Sequence, residues 1–370
     1  MNYTIKKACR IFCRELAVFW REYKLPILIF LASRLIVFLI FYLTNQYHIG
    51  NGDLIQWDAH SYLFIAKNGY IFNGSYLNNG SFIAFFPLWP LLIRGFSFLS
   101  FLNLTSSALI LTFIFGFCST MLLYNIVKSF AGDKAGVNAI FLFCFFPMSV
   151  FLTTTYSESL FFLLALAILY CLERKRFLMS SILISLALIT HITGIIFIPI
   201  LILELYRNRT KIIYSLMNLL ITVIPFGIFI CFQDYLYGNP LAFMTAEKIN
   251  WSQQTVLPWV GIVNLLGYLN TGVMWQINFI FLLMMIITLV LATKKIKLHY
   301  LLFGWGVVLL NISQSFPLSI GRHMMMVIPF YLFWGNYFVK HPIARQLTFA
   351  VFSSWMAFNV ILFVLSLNLF

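Results

Sequence analysis

Clusters of lysine and arginine recur along this chain at the ends of long apolar runs, and that rhythm constrains the fold more than any other feature. Six basic residues fall between Lys6 and Lys24. Lys128 and Lys134 follow, then Arg174, Lys175 and Arg176, then Arg207, Arg209 and Lys211. Lys294, Lys295 and Lys297, and finally Lys340 and Arg345, complete the series. The apolar runs beside these clusters approach or exceed the ~20 residues an α-helix needs to cross a bilayer. They lack the ten-residue alternation of a transmembrane barrel, so the spans are helical. With 62% hydrophobic and 9% charged residues, the chain has too few polar groups to cover a soluble globule. A cytosolic enzyme, a secreted domain and a disordered regulator are excluded. The net charge of +14 marks membrane orientation and not nucleic-acid binding, because its lysines and arginines sit in short loops between spans. The six cysteines show no metal-ligand or disulfide spacing and read as small core residues.

Taking the basic side as cytoplasmic fixes a topology. Residues 1–25 form a cytoplasmic amphipathic segment, and residues 26–44 make the first outward span. Residues 45–104 then form an extracytoplasmic loop. In that loop Phe82–Phe101, with Pro87 and Pro90, must lie along the interface to preserve the alternation. The run Phe177–Tyr206 is too long for one span and breaks at Thr190-His191-Ile192-Thr193-Gly194. This gives an all-α polytopic membrane protein of about 11 helices (9–13) in one domain over residues 1–370. A second large outer loop covers 233–273.

Ten acidic residues are few enough to weigh singly. Glu15, Glu22, Asp133, Glu173 and Glu204 lie beside cytoplasmic basic residues, where pairing or capping accounts for them. Asp53, Asp58, Glu158, Asp234 and Glu247 fall on the outer side, where a chain so poor in acids has a use for some of them. Asp58 stands in Trp57-Asp58-Ala59-His60; it can cap a helix or act as a base at the bilayer surface. Arg34 sits mid-span, costly unless it faces a polar cavity or a phosphate, and is expected to line a donor groove.

The stretch Trp57-Asp58-Ala59-His60 with Ile65-Ala66 and Gly69-Tyr70 resembles the PIG-V family, the GPI mannosyltransferase II group with its prokaryotic relatives. So do Ala84-Phe85-Phe86-Pro87-Leu88-Trp89-Pro90-Leu91, Phe146-Pro147-Met148-Ser149-Val150-Phe151 and Tyr156-Ser157-Glu158-Ser159. The motifs stand in the family's order over about residues 30–205. Gly321-Arg322-His323 is a looser match, and His191 stands where relatives often carry an Arg-containing turn. The resemblance implies a GT-C-like glycosyltransferase with interfacial helices in its first outer loop. It would take mannose from a polyprenyl or dolichyl phosphate to a hydroxyl of a glycan, glycolipid or protein. Asp58 is the expected base, with Asp53 in reserve; a single carboxylate opposite the leaving group means inversion.

Arg322, then Arg94, are the candidates for the donor phosphate, since a guanidinium grips its oxygens bidentately. Glu158, Tyr156, His60, Trp57 and His191 are candidate sugar or acceptor contacts. No metal is assigned; were a divalent ion used, Asp58 and Glu158 would hold it. The competing readings are a lipid or sugar transporter or flippase, and a non-catalytic partner that presents lipid to another enzyme. The expected location is a bacterial plasma membrane, or the ER membrane if eukaryotic, with the N-terminus cytoplasmic and the site extracytoplasmic.

Overall fold

The computed structural model describes residues 2–47, 54–316 and 318–367, with side chains from Trp20 onward. Asp53 and the apolar and basic faces assigned to residues 1–19 lie outside the described residues. The chain begins as one helix, α1 (Asn2–Gln46), which runs through the boundary expected near residue 25. Pro26 is accommodated within it. The first long loop holds α2 (Asp58–Asn68), a 3-10 turn (Asn78–Ala84) and α3 (Leu88–Ser100). The turn and α3 meet at a bend of 104°, where Pro87 leads into the helix. Then come α4 (Leu104–Ala131), α5 (Asp133–Cys144) and α6 (Glu158–Glu173), followed by α7 (Phe177–Leu188), α8 (Phe197–Arg207) and α9 (Ile212–Tyr237). The expected break inside 177–206 is thus present between α7 and α8.

A second long loop contains α10 (Ala242–Trp251) and α11 (Pro258–Tyr268). After it lie α12 (Val273–Ala292), α13 (Leu298–Ile312), the short α14 (Ile320–Met324), α15 (Ile328–Lys340) and α16 (Pro342–Val364). At the centre α5 packs between α4 and α15. Gly335 permits the closest approach there: a Cβ would lie 2.8 Å from the Ala135 carbonyl oxygen. Asn138 donates to the Gly335 carbonyl across the same contact (3.1 Å). Small residues and interhelical hydrogen bonds hold helices together where lipid removes the hydrophobic drive.

Among the described residues five helices are long and apolar enough to cross a membrane: the Trp20–Gln46 part of α1, and α4, α9, α12 and α16. A count of about 11 would also need α5, α6, α7, α8, α13 and α15 to cross, and these contain only 11 to 16 residues. At 1.5 Å per residue they rise only ~16–24 Å. Irregular backbone beside such helices is tolerated at membrane depth only inside protein or along a cavity. Residues 145–157 illustrate this: between α5 and α6 every one is buried.

That segment needs hydrogen-bond donors, and side chains from distant helices provide them. Arg34 donates to the carbonyls of Ser149 (3.0 Å) and Cys144 (2.9 Å) and to the Thr153 hydroxyl. Asn359 donates to the Pro147 carbonyl (3.0 Å) and the Trp89 indole to that of Thr155 (2.9 Å). Arg34 is 2% exposed, and its guanidinium is committed to the segment it braces, so the structure gives it a different place from the expected groove wall. Losing two such carbonyl bonds costs roughly 2–6 kcal/mol. Arg34→Leu is therefore expected to lower the melting temperature sharply, with the donor KM of the surviving folded protein unchanged. A raised donor KM without a melting shift would return Arg34 to the groove.

Candidate active site

Two helices begin at the site with a carboxylate in their first turn. Asp58 opens α2 and Glu158 opens α6, each placed where the positive end of the helix dipole favours an anion. The turn before Asp58 is tight, with Trp57 at φ 47°; non-glycine residues hold that conformation only when their surroundings require it. Here the Trp57 ring meets Phe363 edge-on at 5.0 Å. On the opposite side α14 also follows a left-handed residue, Ser319 (φ 58°). The Gly321 amide donates to Asn278 (2.9 Å), and a Cβ there would sit 2.9 Å from Met148 and Phe281. Glycine lets α14 press against α12, and the next residue is Arg322.

Arg322 joins the two carboxylates. Its Nη1 donates to Asp58 Oδ2 at 2.7 Å, and its Nε lies 3.1 Å from Glu158 Oε1. The guanidinium also rests over the rings of Phe151 and Tyr156, 5.3 Å from each centroid. Burial opposes its charge, but Glu158 and Asp58 outweigh that and hold it more firmly protonated than an ordinary arginine. Glu158 is 2% exposed, and its Oε2 accepts no hydrogen bond. A buried carboxylate oxygen without a donor is costly in a purely structural role.

Two histidines stand beside this cluster. His191, in the turn between α7 and α8, accepts the Thr193 amide on Nδ1 (3.2 Å), which leaves its proton on Nε2. His323 has Nδ1 2.7 Å from the side-chain Oδ1 of Asn311, so its proton is on Nδ1 and its Nε2 can accept. The rings are 5.7 Å apart. Burial and the Arg322 charge lower His191 to about 3 and push His323 well below the ordinary histidine value. Both are neutral at physiological pH, one presenting a donor and the other an acceptor.

The remaining candidates fall in three places. Tyr156 is 2% exposed and donates to the Gln56 carbonyl (3.1 Å), so it supports Arg322 from below. His60 is exposed on α2 and does not join the cluster. Arg94 is also exposed and edges an apolar groove of about 430 Å³ lined by Ile65, Tyr70, Pro87, Pro90, Phe229 and Phe232. Ile65 lies two turns along α2 from Asp58, so groove and cluster share one helix and stand ~10 Å apart along it.

Sequence reasoning passed over Glu247 and His323 as site residues. Glu247 was visible only as one of the outer acids, and His323 as the neighbour of Arg322. Glu247, on α10, lies close enough to feel Asp58 and Arg322. Burial, followed by the Asp58 charge and against the pull of Arg322, raises it to about 7. The acids assigned to cytoplasmic pairing behave differently. Glu22 and Asp133 meet Lys128 (2.8 and 3.0 Å), Glu173 meets Lys297, and Glu204 meets Arg207 (3.2 Å). The Glu15 side chain lies outside the described residues. Glu158 and Glu173 stand at opposite ends of α6, ~22 Å apart, so the site and the ion-paired loops are separate. Among the described residues no three His, Cys, Asp or Glu side chains converge as a metal site.

These features define a multi-pass α-helical membrane protein with a carboxylate–arginine cluster beside an apolar groove. The chain belongs to the mannosyltransferase (PIG-V) family, whose model matches residues 8–301. It is similar to GPI alpha-1,6-mannosyltransferase 2 of Cricetulus griseus, with 31% identity over 210 residues, and of Homo sapiens, with 31% over 207. Those alignments cover 50% of this chain and 40% and 41% of the relatives. GPI mannosyltransferase 2 of Drosophila melanogaster is 34% identical over 121 residues, 30% of this chain and 25% of that protein. The chain thus spans about two-fifths of the length of the mammalian relatives it matches.

Proposed function

We propose that this protein transfers mannose from a polyprenyl or dolichyl phosphate to a hydroxyl of a glycan, glycolipid or protein acceptor, with inversion. The observation that carries the reading is Arg322 held between Asp58 and Glu158 in a chain of the mannosyltransferase family. The acceptor oxygen attacks the anomeric carbon as its bond to the phosphate oxygen breaks. The bonding pair leaves on the lipid phosphate, and the acceptor proton passes to Asp58. A pre-positioned guanidinium stabilises the charge that develops on the phosphate. The incoming phosphate competes with Asp58 for Arg322 Nη1, so donor binding frees the carboxylate to act as base. The apolar groove takes the first prenyl units, with Arg94 at its edge. His191 Nε2–H and the unbonded Glu158 Oε2 are suited to sugar hydroxyls.

The basic clusters lie away from the site's loops, which supports a cytoplasmic N-terminus and an extracytoplasmic site. The host membrane is a bacterial plasma membrane, or the ER membrane in a eukaryote. The test is mannosyl transfer by the purified chain in nanodiscs, from polyprenyl-phosphate-mannose to a panel of glycolipids. Transfer is expected. Donor binding without turnover would instead mean a non-catalytic lipid-presenting partner, and neither binding nor turnover would point to a flippase.

A further inference from the structure

The second long loop is fastened over the site from two directions. On one side the Trp251 ring, at the end of α10, meets Phe85 edge-on (5.8 Å), and Phe85 meets Tyr62 of α2 (5.1 Å), one turn beyond Asp58. Asn250 donates to the Tyr76 carbonyl (2.9 Å) and Asn239 to the Tyr76 hydroxyl (3.2 Å). On the other side the strand-like residues after α10 bond to the segment leading into α14. Ser315 donates to the Gln254 carbonyl (2.8 Å), and Val256 donates to that of Ser313 (2.8 Å). The helix carrying Glu247 is therefore tied both to the loop of Asp58 and to the segment of Arg322.

Glu247 is not placed to favour α10. It sits toward the helix C-terminus, where the dipole disfavours an anion. Among the described residues its carboxylate has neither a hydrogen bond nor an ion pair, although it is only partly exposed. A carboxylate repels a phosphate, so this position does not suit the donor's leaving group. An unpartnered carboxylate beside such a site is suited to a pair of vicinal hydroxyls, each donating to one of its oxygens.

We propose that Glu247 is a specificity-determining residue of the acceptor subsite, binding hydroxyls of a sugar that enters between α10 and the Asp58–Arg322 pair. This rests on the glycosyltransfer reading above for its biological meaning, but its test does not need turnover. The ionised groups acting on Glu247 are Asp58 from α2 and Arg322 from α14. The Asn78–Ala84 turn packed against α10 carries no ionisable side chain. From α9 come Asp234, which is exposed, and Tyr237, whose hydroxyl turns to the Ile71 carbonyl. Because Glu247 titrates near 7, hydroxyl binding strengthens as pH rises and both carboxylate oxygens become acceptors.

The experiment is binding of methyl α-mannoside, α-glucoside and α-galactoside to the full chain in nanodiscs, read by tryptophan fluorescence between pH 6 and 8. Wild type is expected to bind at least one glycoside more tightly as pH rises. Glu247→Ala should weaken that binding at least tenfold. Glu247→Gln should weaken it less and flatten its pH dependence. Both variants should melt and bind polyprenyl-phosphate-mannose as wild type does. Where transfer is measured, they should raise the acceptor KM and not the donor KM. No glycoside binding by wild type, or equal binding and equal pH dependence in the variants, overturns the proposal. Failure of the transfer reading would show separately, as absence of turnover in wild type with glycoside binding intact.

Discussion

Asp58→Asn is expected to lower mannosyl transfer by about 10²–10⁴-fold, the usual contribution of a positioned base, in a protein that still folds. The substitution keeps the shape of the side chain at the start of α2 and an oxygen that can accept from Arg322 Nη1, now 2.7 Å away. It removes the charge that competes with the donor phosphate for that guanidinium. Donor affinity should therefore hold or increase while kcat collapses. That split separates a catalytic carboxylate from a helix cap, whose loss would show in melting. Equal kcat in wild type and Asp58→Asn would move the base to Asp53 or Glu158.

Arg322→Gln is expected to be the most damaging single change to both stability and activity. It strands two carboxylates that now share one cation, and Glu158 is almost wholly buried. Removing one partner of a buried ion pair costs about 3–5 kcal/mol, and losing a pre-positioned donor to a leaving group costs roughly 10²–10³ in rate. Arg322→Lys should recover much of the stability, since the charge remains. It should stay at least 100-fold slow, because one ammonium cannot span Asp58 and Glu158 as the guanidinium does. Pairing Arg322→Gln with Glu158→Gln tests the cause: melting should recover, and transfer should not. Full activity in Arg322→Lys would reduce the arginine to a counter-charge.

Part of this architecture was legible because it depends on composition and local order. The break at Thr190–Gly194 shows as polar residues interrupting an apolar run, and the 104° bend before α3 coincides with Pro87. The span count was less accessible. Hydropathy marks where apolar residues are, and cannot say whether they are α-helical throughout; residues 145–157 are buried and, apart from the 3-10 turn Ser149–Leu152, irregular. Arg34 shows the same limit. Its cost in a membrane is readable from sequence, but whether carbonyls or a ligand offset that cost depends on what lies beside it.

By itself the sequence determined the class of molecule, the alternation of its basic clusters, and the small set of acids worth testing. Those follow from the price of charge in hydrocarbon, which acts residue by residue. Only the tertiary structure decided which acids meet. Asp58 and Arg322 are 264 positions apart in sequence, and α10 brings Glu247 from a loop without a motif. Their convergence is set by the first turn of α2, the close packing of Gly321 and the fastening of two loops. No local pattern encodes such long-range contacts, because each depends on several helices packing at once.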